Sequence, residues 1–266
     1  MGITKRQGEI LNRIVQDYID LATPVSSEFL EEKHHFGICP ATIRIEMQKL
    51  TDADFLFQPH TSAGRVPTDK GYRFFVNNLL GKGIGKEKDI FELEDLIEKE
   101  MGDTIKFLQS LERSEGRRRM NVLRPLERSE GWRRMNVLRL LTKNLALFSS
   151  NLALGYLFDE NIFWKEGWEE VLQEPEFKET NIIANFADVI KHFEEEIEGL
   201  KINSGIKVFI GKENPFSKAK EFSIIISGCH LPNEKKGALA ILGPKRMAYD
   251  KNINSLNSLT KLLERL

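Results

Sequence analysis

The stretch that decides the fold is residues 40–73, PATIRIEMQKLTDADFLFQPHTSAGRVPTDKGYR. Pro40 stands where a helix can begin, because the N–H that proline lacks is not needed at the first helical position. If residues 41–53 are helical, Ile43, Met47 and Leu50 lie on one apolar face. The remaining surface then mixes small, polar and cationic side chains: Ala41, Thr42, Arg44, Ile45, Gln48, Lys49 and Asp52. A surface of this kind suits the major groove of DNA.

The segment after this helix is rich in Thr, Ser, Gly, Pro and Arg, which is typical of a tight hairpin that touches phosphates. Helix and hairpin together predict a recognition helix followed by a wing. The candidate DNA-binding residues are Thr42, Arg44, Ile45, Gln48 and Lys49 on the helix, and His60, Thr61, Ser62, Arg65, Lys70 and Arg73 in and after the hairpin.

The candidates differ in what they are expected to contact. Arg65 is the favoured phosphate contact, so its replacement by alanine is expected to lower the salt dependence of DNA binding by about one unit. Arg44 could reach either a guanine edge or a phosphate. The alternatives are a solvated helix arginine at position 44 and ordinary turn chemistry at residues 60–62.

The sequence on either side of this helix and hairpin predicts three further helices. Thr4 and Gln7 form a capping box that begins a first helix, which ends near Leu21. Ser26 or Ser27 caps a second helix through residue 33, and Thr68 caps a fourth that ends near residue 80. Three helices followed by a hairpin, with a fourth helix after it, predict a winged helix-turn-helix within residues 1–80.

Net charge argues for more than one such unit per DNA site. Residues 1–80 contain nine Lys and Arg against ten Asp and Glu, so this part is not basic overall. Phosphate contacts are local, because screening acts over about 10 Å. The placement of individual charges, rather than the net charge, therefore determines how strongly this part binds DNA. One module is expected to bind modestly, which predicts a homodimer on a double-stranded DNA operator with an inverted repeat.

Two motifs, residues 39–44 and 59–73, resemble the bacterial heat-inducible transcription repressor family (HrcA). The similarity covers nearly all of residues 4–80 and resumes at residues 155–177, 210–215 and 241–247. The resemblance implies a repressor of heat-shock chaperone genes, with a chaperonin as modulator. It also implies that a GAF-like α+β domain with a helical arm follows the winged helix.

Three positions depart from the family pattern. Cys39 replaces the usual capping serine, so the helix is expected to begin slightly less stably. Ile45 replaces the usual asparagine, and it could touch a thymine methyl group, alter operator choice or weaken it. Asp54 replaces a glycine after the helix, where aspartate tolerates a left-handed turn better than most residues.

The second domain is predicted to span residues 81–266 and to have α+β structure. A helix is expected over residues 181–200, strands over 206–210, 222–227 and 238–242, and a terminal helix through residues 253–263. Before them, a glycine-rich linker at residues 81–85 leads into an amphipathic helix over residues 93–111.

A tandem repeat interrupts this domain. Residues 112–126 and 127–141 are identical except at Arg117/Trp132 and Pro125/Leu140. Removing both copies continues the apolar stripe in helical phase from Leu111 through residues 145, 148 and 152, which predicts that residues 112–141 are an insertion and can be deleted from a folded protein. A projecting or disordered insertion is favoured over a nucleic-acid patch.

Other classes of function find little support. No pair of acids or nucleophile with a base predicts an enzyme, and no cofactor is expected. The two cysteines and the His34–His35 pair give no metal pattern, and a cytoplasmic protein without membrane spans is expected. The main alternative is a regulatory or sensing module that kept the fold but lost operator binding, and a second is a small-molecule sensor.

Overall fold

The computed structural model describes residues 2–83, 130–200, 202, 205–216, 218–231 and 235–265. In the N-terminal part, residues 2–83, the elements are α1 (Lys5–Leu21), α2 (Ser27–His34), α3 (Pro40–Asp52), β1 (Leu56–Phe57), β2 (Val66–Pro67) and α4 (Asp69–Gly81). The two strands pair antiparallel. The predicted order of helices and hairpin is confirmed.

The predicted caps are also present. Thr4 accepts a hydrogen bond from the backbone N–H of Gln7, and the Gln7 side chain accepts one from Thr4, which completes the capping box of α1. Ser26 caps α2 and Thr68 caps α4 in the same manner. Because each cap satisfies N–H groups that the first turn leaves free, the local sequence defines where these helices begin.

In the C-terminal part the elements are α5 (Glu130–Ser149), β3 (Leu152–Leu157), β4 (Ile162–Glu166), α6 (Trp168–Val171), α7 (Thr180–Glu196), β5 (Gly205–Ile210), β6 (Phe222–Leu231), β7 (Lys235–Pro244) and α8 (Tyr249–Arg265). The five strands form one antiparallel sheet in the order β4-β3-β7-β6-β5. This part of the chain therefore has mixed helix and sheet, as expected for an α+β protein.

Both faces of the sheet are covered by helices, and alternate residues of its strands point to opposite faces. In β6, Ile224 packs toward α7 and its Phe186 and Phe193, while Ile225 packs toward α5 and α8. The near-continuous apolar run of β6 follows from this two-sided cover. Within the described residues, no helix is long and apolar enough to cross a membrane.

The second copy of the tandem repeat does not project from the fold. Residues 130–141 form the first twelve positions of α5, which runs without a break to Ser149. Leu138 and Leu141, both within the repeat, are fully buried in the core that α5 shares with α8. The expectation of a projecting or disordered insertion is thus wrong for these residues. The first copy, residues 112–126, lies outside the described residues.

The apolar stripe beyond the repeat also ends earlier than the helical spacing predicts. That spacing extends the helix to Leu152, but α5 ends at Ser149, where Ser150 adopts φ 54°, and Leu152 begins β3. Helical spacing and strand alternation can both place an apolar residue at one position, so a stripe alone does not mark the end of a helix. The predicted helix over residues 93–111 and the linker after residue 83 lie outside the described residues.

The N-terminal and C-terminal parts meet at a set of polar contacts that we call the joint: Asp69 and Arg73 of α4 against Val208, residues 211–213 and Lys245. Asp69 accepts hydrogen bonds from the backbone N–H of Lys212 at 3.0 Å and from Nζ of Lys245 at 2.9 Å. Arg73 donates through Nε to Glu213 at 2.9 Å. It also donates through Nη2 to the carbonyl oxygen of Val208 at 2.6 Å.

Buried side chains surround the joint. Tyr72 of α4 lies against Tyr249 of α8 with 5.9 Å between ring centroids, and burial raises the pKa of both phenols. Nearby, Arg246 donates to the carbonyl oxygen of Ile19 at the end of α1 and to the carboxylate of Glu176. Close contact of the two parts therefore involves both α1 and α4.

Candidate nucleic-acid interface

The outward face of α3 is exposed over its length. Pro40 is its first residue, and Ile43, Met47 and Leu50 are buried beneath it, as the spacing predicts. Ile45, the departure from the family pattern, leaves 57% of its surface exposed. We define the outer surface as this face together with the hairpin tip: Ala41, Thr42, Arg44, Ile45, Gln48, Lys49, His60, Thr61 and Ser62.

The start of α3 lacks a side-chain cap. Cys39 is the N-cap residue, and its side chain makes no capping hydrogen bond to the backbone. Its Sγ lies 3.3 Å from Oγ1 of Thr42, and this contact lowers the pKa of the Cys39 thiol. Asp54, another departure from the family pattern, follows the end of α3. It adopts φ 61°, the left-handed conformation that aspartate was predicted to tolerate.

The cations of the outer surface already have acidic neighbours. Arg44 pairs with Glu28 of α2, and Lys49 pairs with Glu46 at 3.0 Å. Hydrogen bonds from its own backbone N–H and from Ser27 lower the pKa of Glu28, so this partner stays ionised. Sequence analysis missed these pairs, although the spacing of Glu46 and Lys49 on a helix could have shown one of them.

The hairpin is fixed to the rest of the N-terminal part. Arg65 and Val25 exchange both backbone hydrogen bonds, at 2.8 and 3.0 Å. Gly64 lies so close to the Val25 backbone that any Cβ there would collide with the carbonyl group. At the tip, the Gln58 amide donates to the carbonyl oxygens of Thr61 and Ala63. The tip is therefore held at a defined position beside α3.

The Arg65 side chain points inward rather than into solvent. Only 8% of the residue is exposed, and its Nε donates to Oγ1 of Thr51 at 3.1 Å. Its Nη2 donates to Oε1 of Gln48 at 3.0 Å. Burial, together with the neighbouring Arg44 charge, lowers the pKa of this guanidinium. Arg65 thus joins the hairpin to α3, which corrects the expectation that it presents its charge to phosphate.

Two further candidates point away from the outer surface. Lys70 donates to the carbonyl oxygen of Ala53 at 2.7 Å and lies 4.4 Å from the centre of the Phe55 ring, so it caps the end of α3. Arg73 belongs to the joint. Both are cations in a basic motif, and the sequence pattern alone could not show that Lys70 bonds to the end of α3 and Arg73 to the C-terminal part.

The described residues contain no group of three or more His, Cys, Asp or Glu side chains that could hold a metal ion. His34 lies with Lys33 against the buried carboxylate of Asp17. His35 follows as the left-handed residue that ends α2. These histidines therefore serve local structure in the N-terminal part.

Comparison with known proteins identifies the family. The family model described as "HrcA protein C terminal domain" matches residues 84–253, which is more than half of the chain. The chain belongs to the HrcA family. A heat-inducible transcription repressor HrcA from Natranaerobius thermophilus is 27% identical over 350 residues, covering 100% of this chain and 98% of that protein. One of the same name from Oceanobacillus iheyensis is 28% identical, covering 97% and 95%.

A solved structure supports the fold of this HrcA family member. The structure titled "Crystal structure of a hypothetical protein at 2.2 A resolution" superposes with a TM-score of 0.72 at 18% identity, covering 99% of this chain and 98% of that one. Three of the motifs that carried the resemblance, residues 59–73, 210–215 and 241–247, meet at the joint. The HrcA-like motifs of this chain therefore hold its two parts together as well as forming the hairpin.

Proposed function

We propose that this chain is a transcription repressor that binds an inverted-repeat operator of heat-shock chaperone genes as a homodimer. One observation carries the proposal: the exposed face of α3 and the hairpin tip lie on the same side, because Arg65 of the hairpin contacts Gln48 of that face. Membership of the HrcA family and the names of its relatives support the heat-inducible role.

In this proposal, residues 1–80 form a winged helix-turn-helix whose recognition helix is α3. Residues 81–266 form a GAF-like α+β domain that dimerises and regulates. Within the first unit, the DNA-contacting residues are those of the outer surface: Thr42, Arg44, Ile45, Gln48, Lys49, His60, Thr61 and Ser62. Arg65 supports them from inside, while Lys70 and Arg73 are removed from the contact set for the reasons above.

The paired cations make the binding of a single module modest. When a phosphate approaches Arg44 or Lys49, it replaces the carboxylate of Glu28 or Glu46 rather than meeting a free charge. An exposed ion pair such as Arg44–Glu28 is worth about 0–1 kcal/mol, so the exchange is possible there, but it adds little net energy. A second module bound to the same DNA then supplies the affinity that one module lacks.

The proposal predicts a fixed geometry on DNA. The two half-site centres should lie about 34 Å apart, or a multiple of that, because two-fold symmetric proteins contact successive turns of one face of the duplex. Adding about five base pairs between the half-sites should abolish tight binding, since it rotates one half-site to the far side. Electrophoretic mobility assays on matched duplexes with and without the insertion measure this.

Two outcomes would count against the proposal. Equal affinity for the duplexes with and without the insertion would indicate a monomeric reader or a flexible link between the two modules. Equal affinity for inverted repeats and scrambled duplexes of the same composition would support the alternative of a regulatory module that kept the fold and lost operator binding. A chaperonin as modulator rests on the resemblance, and adding purified chaperonin to the same assay should raise the fraction of operator bound.

A further inference from the structure

The amide of Gln48 on the outer surface is held from both sides. Its Oε1 accepts a hydrogen bond from Nη2 of Arg65 at 3.0 Å, and its Nε2 donates to Oδ1 of Asp52 at 2.8 Å. A glutamine amide can usually rotate by half a turn and exchange its oxygen and nitrogen. Here the exchanged orientation would turn an N–H group toward the guanidinium and the amide oxygen toward the carboxylate, and both contacts would be lost.

The donor that holds the oxygen is itself anchored by several hydrogen bonds. Arg65 is buried, and its backbone N–H and C=O groups are both hydrogen-bonded to the backbone of Val25. Its Nε donates to the hydroxyl of Thr51, which lies about one helical turn from Gln48. Thr51 in turn donates its hydroxyl to the carbonyl oxygen of Met47. The guanidinium is therefore tied to α3 by two side-chain hydrogen bonds, one to Thr51 and one to Gln48.

The remaining hydrogen-bonding capacity of Gln48 has a defined chemistry. An amide oxygen has two lone pairs and an amide nitrogen two N–H groups, so one acceptor and one donor remain after the contacts with Arg65 and Asp52. Adenine offers the complementary pair in the major groove, the N6 amino donor beside the N7 acceptor. Guanine offers two acceptors there and cytosine one donor, and neither matches a fixed amide as well.

We propose that Gln48 recognises an adenine in each half-site and that Arg65 is the positioning residue which sets the orientation of its amide. This inference rests on the proposed operator binding and assigns a base to one residue of that surface. It also replaces the direct phosphate contact expected of Arg65 from sequence. Preorganisation of this kind improves specificity because the cost of fixing the side chain is met during folding.

The test begins with the unmodified protein. Selection from synthetic duplexes that carry two randomised half-sites of about 10 base pairs in inverted orientation defines the preferred sequence. No preference at any position would contradict the proposed function itself. If a preference exists, Gln48→Ala should remove discrimination for adenine at one position of each half-site, by about tenfold, the size expected for a bidentate contact.

Arg65→Ala should then reduce the preference for adenine at the same position and at no other, by up to the same factor. The double variant should discriminate against other bases no less than Gln48→Ala does. The salt dependence of binding to non-specific duplex should not change. A fall of about one unit in that slope with base preference intact would make Arg65 a phosphate contact and overturn the inference. So would additive losses in the double variant.

Two further variants keep the test decisive if Arg65→Ala fails to fold. Arg65→Lys retains the charge but lacks the fork that reaches Gln48 and Thr51 together, so it should lose adenine preference while keeping the salt slope. Thr51→Val removes one of the two anchors of the guanidinium and should weaken the preference less. Full adenine preference in both folded variants would show that Gln48 needs no support from Arg65.

Discussion

Arg44 on the outer surface and Arg73 in the joint are both paired with a glutamate, but their surroundings differ. The Arg44 side chain is 65% exposed and its partner Glu28 is 53% exposed. Arg73 is 26% exposed, and it donates to a backbone carbonyl of β5 as well as to Glu213. The first pair can exchange its carboxylate for another anion, whereas the second ties two parts of the fold together.

The difference shows what a basic motif can and cannot indicate. Arg65, Lys70 and Arg73 occur within nine residues, and their pattern predicted a cluster of phosphate contacts. Each of them instead holds a neighbouring element: α3 through Gln48, the end of α3 through Ala53, and β5 through Val208. Packing, and not residue type, therefore decides which cations of a basic motif hold a neighbouring element.

The largest expected effect concerns the repeat, which was also expected to face outward and instead enters α5. Deleting residues 127–141 leaves the first copy, whose Pro125 would occupy the position of Leu140 inside this helix. Proline in a helix interior costs about 3 kcal/mol or more. Deleting residues 112–126 retains Leu140, so the two deletion variants should differ in free energy of unfolding by about that amount in urea titrations.

A matched control accompanies these deletions. Adding Pro125→Leu to the variant lacking residues 127–141 should recover most of the loss, because only Arg117 in place of Trp132 then distinguishes it from the other variant. Equal stability of the two deletions would show that α5 does not need the second copy. A variant lacking residues 112–141 places Leu108 and Leu111 at the positions of Leu138 and Leu141, and it should remain folded if these two leucines fill the same core.

The second prediction breaks the joint. Gly211 adopts φ 54°, and a Cβ there would collide with the Asp69 carboxylate. Gly211→Ala should therefore cost about 1 kcal/mol of backbone strain and a further 1–2 kcal/mol from displacement of the hydrogen bonds to Asp69. Gly37→Ala is the matched control, because Gly37 has φ 70° with open space around it. In thermal unfolding, the midpoint should fall clearly more for Gly211→Ala than for Gly37→Ala. Equal shifts for the two variants would contradict the collision.

The third prediction compares the two arginines directly. Arg73→Ala leaves the half-buried Glu213 and the Val208 carbonyl with fewer partners, so the free energy of unfolding should fall by about 1–2 kcal/mol. Arg44→Ala should change it by less than about 0.5 kcal/mol, because exposed pairs contribute little, while weakening binding to the operator. A stability loss for Arg44→Ala as large as for Arg73→Ala would remove the distinction between the two regions.

The smallest expected effect lies at the start of α3. Cys39→Ser should supply the missing side-chain cap and raise the unfolding midpoint by about 2 °C. Cys39→Ala should give no gain, since alanine cannot accept a hydrogen bond from the first turn. If serine and alanine behave alike in differential scanning calorimetry, the start of α3 does not limit stability.

Local rules made much of the fold predictable. Caps at Thr4, Ser26 and Thr68, and the buried stripe beneath α3, depend on contacts a few residues apart, and sequence alone placed them within one or two residues. The strands β3 and β4 were missed: the helical stripe was extended to Leu152, the first residue of β3, and no secondary structure was assigned to residues 162–166. The joint could not be predicted, because its partners are separated by more than 130 positions along the chain and no local spacing relates them.

The same limit applies to the candidate site. The exposed face of α3 followed from its helical period, since burial of Ile43 and Met47 determines which side chains remain outside. The direction of the Arg65 side chain did not follow, because it depends on the backbone pairing with Val25 that turns the hairpin against α3. Residue identity gave the chemistry of this surface, and tertiary packing selected which of its members face outward.

Three consecutive residues at the start of α4 have a consequence for protein engineering. Thr68 and Lys70 bond to the carbonyl oxygens of Asp54 and Ala53 at the end of α3, while Asp69 between them bonds to the C-terminal part. The end of α3 and the C-terminal part are thus linked through adjacent residues of the chain. Residues 1–83 should therefore not function as an isolated module. Fused to an unrelated dimerisation domain, they would expose Tyr72 and leave the charges of Asp69 and Arg73 without their present partners. A working chimera has to carry over residues 208–213 and 245–249 with them.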